Sequence, residues 1–199
     1  MLLKCSDTRY NGIPSKGEEN PYGRSTLCSI FLIVLYLFQI CRMKITLICI
    51  GKTADKFIQE GIDKYLKRLK HYIAFQIIVI PDIKNSKNLS EAQQKEKEAE
   101  LFKKHIAAND HVVLLDERGK EYRSLEFSSF IEKKMVASTS HMLFLIGGPY
   151  GFAEEIKQRA NSFVSLSKMT FSHQMVRLFF VEQIYRAFTI MKGEPYHHE

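Results

Sequence analysis

HMLFLIGGPYG, residues 141–151, joins a continuous apolar run to a glycine-rich turn. The first six residues predict a strand that is buried on both faces, and the glycines predict a turn at its carboxyl end. Similar short apolar runs elsewhere in the chain predict four more strands, at Lys44–Ile50, Phe75–Ile80, His111–Leu115 and Phe163–Leu166. Because buried strands of this kind are typical of parallel sheets, we expect an α/β fold with a parallel sheet.

Helical spacing of apolar residues separates these strands and predicts helices over 54–71, 90–106, 124–137, 153–159 and 174–191. A turn is predicted over 116–120. The last helix is apolar around nearly its whole circumference. We therefore expect it to bury one side on the sheet and another side against a second subunit.

The first 42 residues differ in character from the other 157 of the 199. They contain an uncharged apolar run, LCSIFLIVLYLFQIC, at 27–41, which is shorter than the roughly 20 residues of a membrane-spanning helix. It is interpreted as a membrane anchor, as a segment packed on the body, or as a stretch upstream of a translation start at Met43. We favour the last interpretation, so the expected domain is 43–199 and a membrane partner is not expected.

Composition and motifs exclude several classes of protein. Three of the four cysteines lie in the first 41 residues, which is typical of a reduced, cytoplasmic body rather than a disulfide scaffold. Gly51-Lys52-Thr53 follows a strand, but Thr46 stands where a P-loop needs its first glycine. There is no G-x-G-x-x-G after the first strand, no G-x-S-x-G, and no metal-ligand spacing among the cysteines. We expect no metal.

Two loops combine features of a ligand site. The glycine-rich turn 147–151 and the segment 166–173 each follow a predicted strand and precede a helix. Ligands of open α/β sheets bind beyond the carboxyl ends of the strands, and glycine lets the backbone approach them closely. Each loop, considered alone, is also compatible with an ordinary connection. The formal net charge of +7 favours an anionic partner without identifying it.

Several motifs together resemble the SPOUT-class RlmH family of ribosomal large subunit methyltransferases. They are MKITLICIGK from Met43, LLDERGK from Leu114, LIGGPYGF from Leu145, LSKMTFSHQMVRLFFVEQIYRAFTI from Leu166 and GEPYHHE from Gly193. The resemblance covers 43–199 in the same order and spacing. It implies a SPOUT methyltransferase fold with a C-terminal deep trefoil knot, a homodimer, and methylation of N3 of a pseudouridine in 23S rRNA.

The resemblance also implies S-adenosylmethionine as methyl donor. The family's cofactor positions fall on Leu115, Gly147, Leu166, Ser167, Lys168, Met169, Thr170 and Phe171. As catalytic candidates we expect His197 to contact the substrate or remove a proton, Arg186 to stabilise the developing uracil anion, and Tyr196 to contact the base. Lys64, Lys67, Arg68 and Lys70 are candidate contacts to the RNA backbone.

Three alternatives stay open at this point. The chain could be a SPOUT methyltransferase that acts on another RNA, such as tRNA. It could be a nucleotide- or RNA-binding module without catalysis. The apolar run at 27–41 could instead tether it to a membrane.

Overall fold

The computed structural model describes residues 43–83 and 89–196. The expectations for the N-terminal extension, for its apolar run at 27–41 and for His197 fall outside these ranges. Strands and helices alternate along the described chain as follows: β1 Lys44–Ile50, α1 Lys56–Leu69, β2 Ala74–Ile80, α2 Glu91–Lys103, β3 His111–Glu121, α3 Ser124–Val136, β4 His141–Ile146, α4 Glu154–Arg159, β5 Ser162–Ser165 and α5 His173–Met191.

The five strands form one sheet in the order β2-β1-β4-β3-β5, and every pairing between them is parallel. The prediction of an α/β fold with a parallel sheet is therefore confirmed. Because the strands are parallel, their carboxyl ends lie at one edge of the sheet. The loops that follow β4 and β5 consequently meet at that edge, as expected from the sequence.

β3 departs from the prediction, because it continues to Glu121 instead of turning after Leu115. Val164 of β5 pairs with Leu115 and again with Lys120, so the segment 116–119 leaves the regular ladder between two fixed points. A Cβ on Gly119 would lie 2.6 Å from backbone atoms of Val164. Glycine at this position lets two backbones approach closely, which a β-carbon would prevent.

Apolar side chains cover both faces of the sheet. On one face, alternate residues of β1 such as Ile45 and Leu47 join a core that includes side chains of α1, α3 and α5. On the other face, Ile48 joins a core with Ala99 and Phe102 of α2 and with Ile156 of α4. The described part of the chain thus has the three-layer arrangement expected when a parallel sheet is buried on both sides.

The long helix α5 packs against α1, α3 and β4 of its own chain. These neighbours bury most of its apolar circumference, including Phe180, Val181, Ile184 and Phe188. Packing within one chain therefore explains much of the apolar pattern of α5, and the expectation of a second subunit against this helix stays a prediction. Phe179 is the large apolar residue of α5 that stays exposed, at 37%.

Within the described ranges, no helix combines the length and the apolar content that crossing a bilayer would require.

Candidate functional site

A cavity of about 680 Å³ opens at the carboxyl edge of the sheet. Its walls come from residues 115–118 of β3, from the glycine-rich turn after β4, from the loop after β5 and from the first turn of α5. The cavity is lined by Leu115, Gly147, Leu166, Ser167, Met169, Thr170 and Phe171, among others. Of the eight positions expected from the sequence, only Lys168 is not in this wall.

The glycine-rich turn presents its backbone to the cavity. Gly151 donates its N–H to the carbonyl oxygen of Gly148 at 3.0 Å, which closes the turn, and Gly151 has a φ of +75°. A Cβ on Gly147 would lie 3.3 Å from both the Gly151 carbonyl carbon and the Phe152 ring. Side chains at these positions would strain or crowd the turn, so glycine maintains this part of the cavity wall.

Behind this turn lies Glu98 of the highly charged helix α2. Its side chain is 3% exposed, and its carboxylate accepts hydrogen bonds from Gly148 N–H at 3.2 Å and from Gln94 Nε2 at 3.0 Å. A signal for its burial was available in the sequence. Glu98 lies four residues before Phe102 and therefore shares the inward face of α2 with it.

Serine hydroxyls organise the loop after β5. Ser165 Oγ donates to the Ser167 carbonyl oxygen at 2.9 Å, and Ser167 Oγ accepts from Met169 N–H at 2.9 Å. Met169 is 72% exposed, and the Phe171 ring packs against Phe179 with centroids 5.0 Å apart. The loop thus lines the cavity with polar groups while apolar side chains remain at its rim.

The start of α5 is held against the end of β1. Arg177 is buried and donates from Nη2 to the Ile50 carbonyl oxygen at 2.6 Å and from Nη1 to Thr53 Oγ1 at 3.0 Å. Gln174 Oε1 accepts from the backbone N–H groups of Ala54 and Asp55. These contacts set the position of His173 and Val176, which line the cavity.

His173 is the histidine of the cavity wall. Burial and the neighbouring Arg177 guanidinium lower its pKa, and the carboxylate of Glu98 opposes them by raising it. The net direction is downward from an ordinary value of 6.5, so the imidazole is neutral at pH 7.

Arg186 and Tyr196 belong to a second polar cluster, on the side of α5 that faces α1. Arg186 Nη2 lies 2.7 Å from Glu182 Oε1, and its guanidinium lies 4.9 Å from the centroid of the Tyr196 ring. Tyr196 donates to Glu182 Oε1 at 3.0 Å and contacts Tyr65 Oη at 3.3 Å. Burial, the hydrogen bond with Tyr65 and the charge of Glu182 raise the pKa of Tyr196, so its phenol stays protonated.

This cluster is distant from the cavity in a single chain. Arg186 follows the cavity residue Val176 by ten positions, which corresponds to about 15 Å along a helix axis. The structure therefore brings the expected cofactor positions together but does not bring Arg186 or Tyr196 to them.

Within the described part of the chain, no three His, Cys, Asp or Glu side chains lie close enough together to hold a metal ion.

Comparison with known proteins matches this chain to a family model described as "Predicted SPOUT methyltransferase" over residues 43–197. A protein of Parabacteroides distasonis named Ribosomal RNA large subunit methyltransferase H is 59% identical over 157 residues, which is 79% of this chain and 100% of that protein. A Christiangramia forsetii protein of the same name is 58% identical over 156 residues, covering 78% of this chain and 99% of the relative.

A third relative with this name, from Flavobacterium johnsoniae, is 58% identical over 157 residues, which is 79% of this chain and all of the relative. The resemblance inferred from the motifs is confirmed. The expectation that the protein is a methyltransferase is confirmed with it. The chain belongs to the SPOUT methyltransferase family.

Proposed function

We propose that the protein transfers a methyl group from S-adenosylmethionine to N3 of a pseudouridine in 23S rRNA. The observation that carries the proposal is the cavity at the carboxyl edge of the sheet, in a chain of this family. The relatives named above are large-subunit ribosomal RNA methyltransferases by name, which supports the choice of RNA.

The cavity has properties that suit this donor. Its volume of about 680 Å³ falls within the usual range for small-molecule sites, roughly 300–1,000 Å³. Backbone groups of the glycine turn and the serine hydroxyls provide polar partners, while Leu115 and Leu166 provide apolar surface for an aromatic base. When bound, the donor supplies an electrophilic methyl group on a sulfonium.

We assign the donor to Leu115, Gly147 and the segment 166–171. Lys168 stays in this set as a prediction from the resemblance. The support for the others is their common position in the cavity wall.

The reaction requires N3 of the base to lose its proton before or during attack, so a base or a nearby cation is useful. We propose His197 for contact with the substrate or removal of this proton. Arg186 would stabilise the negative charge that develops on the uracil ring, and Tyr196 would contact the base. Glu182 holds the Arg186 guanidinium against the Tyr196 ring, which supports a shared, oriented site.

A homodimer would unite the two halves of this site. In a single chain Arg186 lies about 15 Å along α5 from Val176, so a second copy is needed to bring Tyr196 or Arg186 to the donor. Phe171 and Phe179 pack on each other and are exposed beside the cavity, which offers an apolar surface for that copy. We propose this arrangement.

We also propose that the chain after β5 is threaded as a trefoil knot. Knots are rare in proteins, and forming one requires a closed loop of chain through which a later segment passes. The segment 116–119 is fixed at both ends against Val164, directly beside the carboxyl end of β5. A loop closed in this manner supports threading of the residues that lead to α5.

Four basic side chains on α1 and directly after it are proposed as contacts for the RNA backbone, which requires cations. They are Lys64, Lys67 and Lys70, together with the half-buried Arg68. We propose residues 43–199 as the methyltransferase domain and the cytoplasm as its location, since its RNA substrate is there.

Two measurements test the proposed function. Modification mapping of rRNA and tRNA, with and without the gene, is expected to show loss of one N3-methylpseudouridine in 23S rRNA. Loss of a tRNA modification would instead support another RNA substrate. Thermal stabilisation by S-adenosylmethionine, but not by flavin or nucleoside triphosphates, is expected for a methyltransferase, and the opposite pattern would favour a non-catalytic binding module.

A further inference from the structure

Glu98 places a carboxylate at the back of the candidate cofactor cavity. The residue is buried, and its two oxygens accept hydrogen bonds from uncharged donors, the Gly148 N–H and the Gln94 side-chain amide. These hydrogen bonds fix the carboxylate, an anionic group, on the inner side of α2.

This charge has no close cationic partner. None of the ion pairs in the described part of the chain includes Glu98. His173 is electrostatically coupled to it, but the lowered pKa of that imidazole leaves it neutral at pH 7. Lys95, Lys157 and Arg118 also line the cavity. Arg118 is exposed and the two lysines are partly exposed, so solvent screens their charges.

The carboxylate contacts the cavity wall through Gly148, whose N–H donates to Glu98 Oε2 at 3.2 Å. Gly148 lines the cavity, and a Cβ on it would lie 2.3 Å from Glu98 Oε1. The field of a charge in such a protected position is far less screened than that of a surface group.

We propose that Glu98 determines specificity for the charged methyl donor over its neutral product. The inference rests on the proposed function. In methyl transfer the bond between the methyl carbon and sulfur breaks, and its electron pair stays on sulfur. N3 of the pseudouridine forms the new bond to the methyl carbon, and the N3 proton goes to a general base of the protein. The sulfonium cation thereby becomes an uncharged thioether. A buried carboxylate stabilises binding of the cation and loses that interaction once the methyl group has left, which promotes release of the product.

Two substitutions separate charge from positioning. Glu98→Gln keeps the size and removes the charge, whereas Glu98→Asp keeps the charge and shortens the side chain that holds the glycine turn. Isothermal titration calorimetry on the full chain would measure Kd for S-adenosylmethionine and for S-adenosylhomocysteine. Glu100→Gln is the matched control, since it is the same substitution at an exposed position of α2.

For Glu98→Gln we expect Kd for the donor to rise several-fold more than Kd for the product. For Glu98→Asp both constants rise together, and for Glu100→Gln neither changes. Equal changes for the two ligands in Glu98→Gln would reduce Glu98 to a structural support and overturn the inference. A wild-type chain that binds neither ligand would overturn the proposed function itself.

A second measurement needs no variant. An analogue with a tertiary amine in place of the sulfonium is cationic when protonated and neutral when not. The affinity of the wild-type chain for the analogue is measured below and above the pKa of the amine, and the protonated form is expected to bind several-fold more tightly than the neutral form. S-adenosylhomocysteine, measured over the same pH range, corrects for changes in affinity that do not come from the amine. Equal affinity for the two forms contradicts the inference.

Discussion

Arg177 Nη2 donates a hydrogen bond of 2.6 Å to the carbonyl oxygen of Ile50, across 127 residues of sequence. The bond joins the first turns of α5 to the carboxyl end of β1. His173 and Val176, which line the cavity, lie on the same turns. One buried side chain therefore connects the last helix to the first strand and also sets one wall of the candidate cofactor site.

Replacing Arg177 by Met is expected to lower the free energy of unfolding by about 1–3 kcal/mol, because the Ile50 oxygen and Thr53 Oγ1 lose their donor in a buried position. Affinity for S-adenosylmethionine should fall as well. Urea denaturation and calorimetry measure the two effects. Thr53→Val removes only one of the acceptors and serves as the milder comparison. An Arg177→Met protein as stable as wild type would show that this link does not hold α5.

Gly148→Ala is expected to weaken cofactor binding and to destabilise the fold, because the new methyl group would meet the buried carboxylate of Glu98 at 2.3 Å. Shortening that neighbour in the double variant Gly148→Ala/Glu98→Ala makes room for the methyl group. A double-mutant cycle on unfolding free energy should therefore give a coupling that exceeds 0.5 kcal/mol. Strict additivity would show that the two residues do not constrain each other.

The protein is expected to lose stability as the pH falls from about 7 to 5, partly through His111. Burial and the charges of Lys134 and Arg159 lower the pKa of this imidazole below its ordinary value of 6.5. The unfolded chain then binds a proton at a higher pH than the folded chain does. The stability that depends on a neutral His111 is fully present above pH 6.5. It is lost as the pH falls through the pKa of His111 in the folded chain.

His111→Gln removes this titration and retains a polar group near Ser162, whose Oγ lies 3.4 Å from His111 Nε2. Urea unfolding at pH 7.5 and pH 5.5 should show a smaller loss of stability for the variant than for wild type. An identical loss in both proteins would mean that His111 does not contribute.

Arg186→Ala is expected to lower kcat for methylation on the order of 100-fold, as observed when a group that stabilises developing negative charge is removed. Kd for S-adenosylmethionine should stay near the wild-type value, because Arg186 lies away from the cavity of its own chain. Tyr196→Phe, which removes only the hydroxyl that contacts Glu182, provides a milder comparison. A change in cofactor affinity without a change in kcat would contradict the assigned role.

His197→Ala should lower methylation strongly while cofactor affinity stays close to wild type. The reason is its proposed contact with the substrate rather than with the donor. Steady-state kinetics and calorimetry on one preparation separate the two quantities. Unchanged turnover would remove His197 from the mechanism.

Local patterns were sufficient to predict most of the secondary structure. β1 and β4 have the predicted bounds, and α3 ends one residue earlier than expected. Apolar periodicity is a property of a few consecutive residues, so it can be recognised without the fold. The extension of β3 to Glu121 could not be recognised in this way, because it depends on pairing with β5 more than forty residues later in the chain.

The family, the parallel sheet and the two loops of the candidate site were determined by the sequence alone. The tertiary structure alone decided which distant side chains meet there. Glu98 and Gly148 are 50 residues apart, so no local pattern could show that the carboxylate accepts from the backbone of the glycine turn. The distance between Arg186 and the cavity was likewise decided by the tertiary structure. Burial and separation arise from how helices pack on the sheet, and no local window of sequence contains that information.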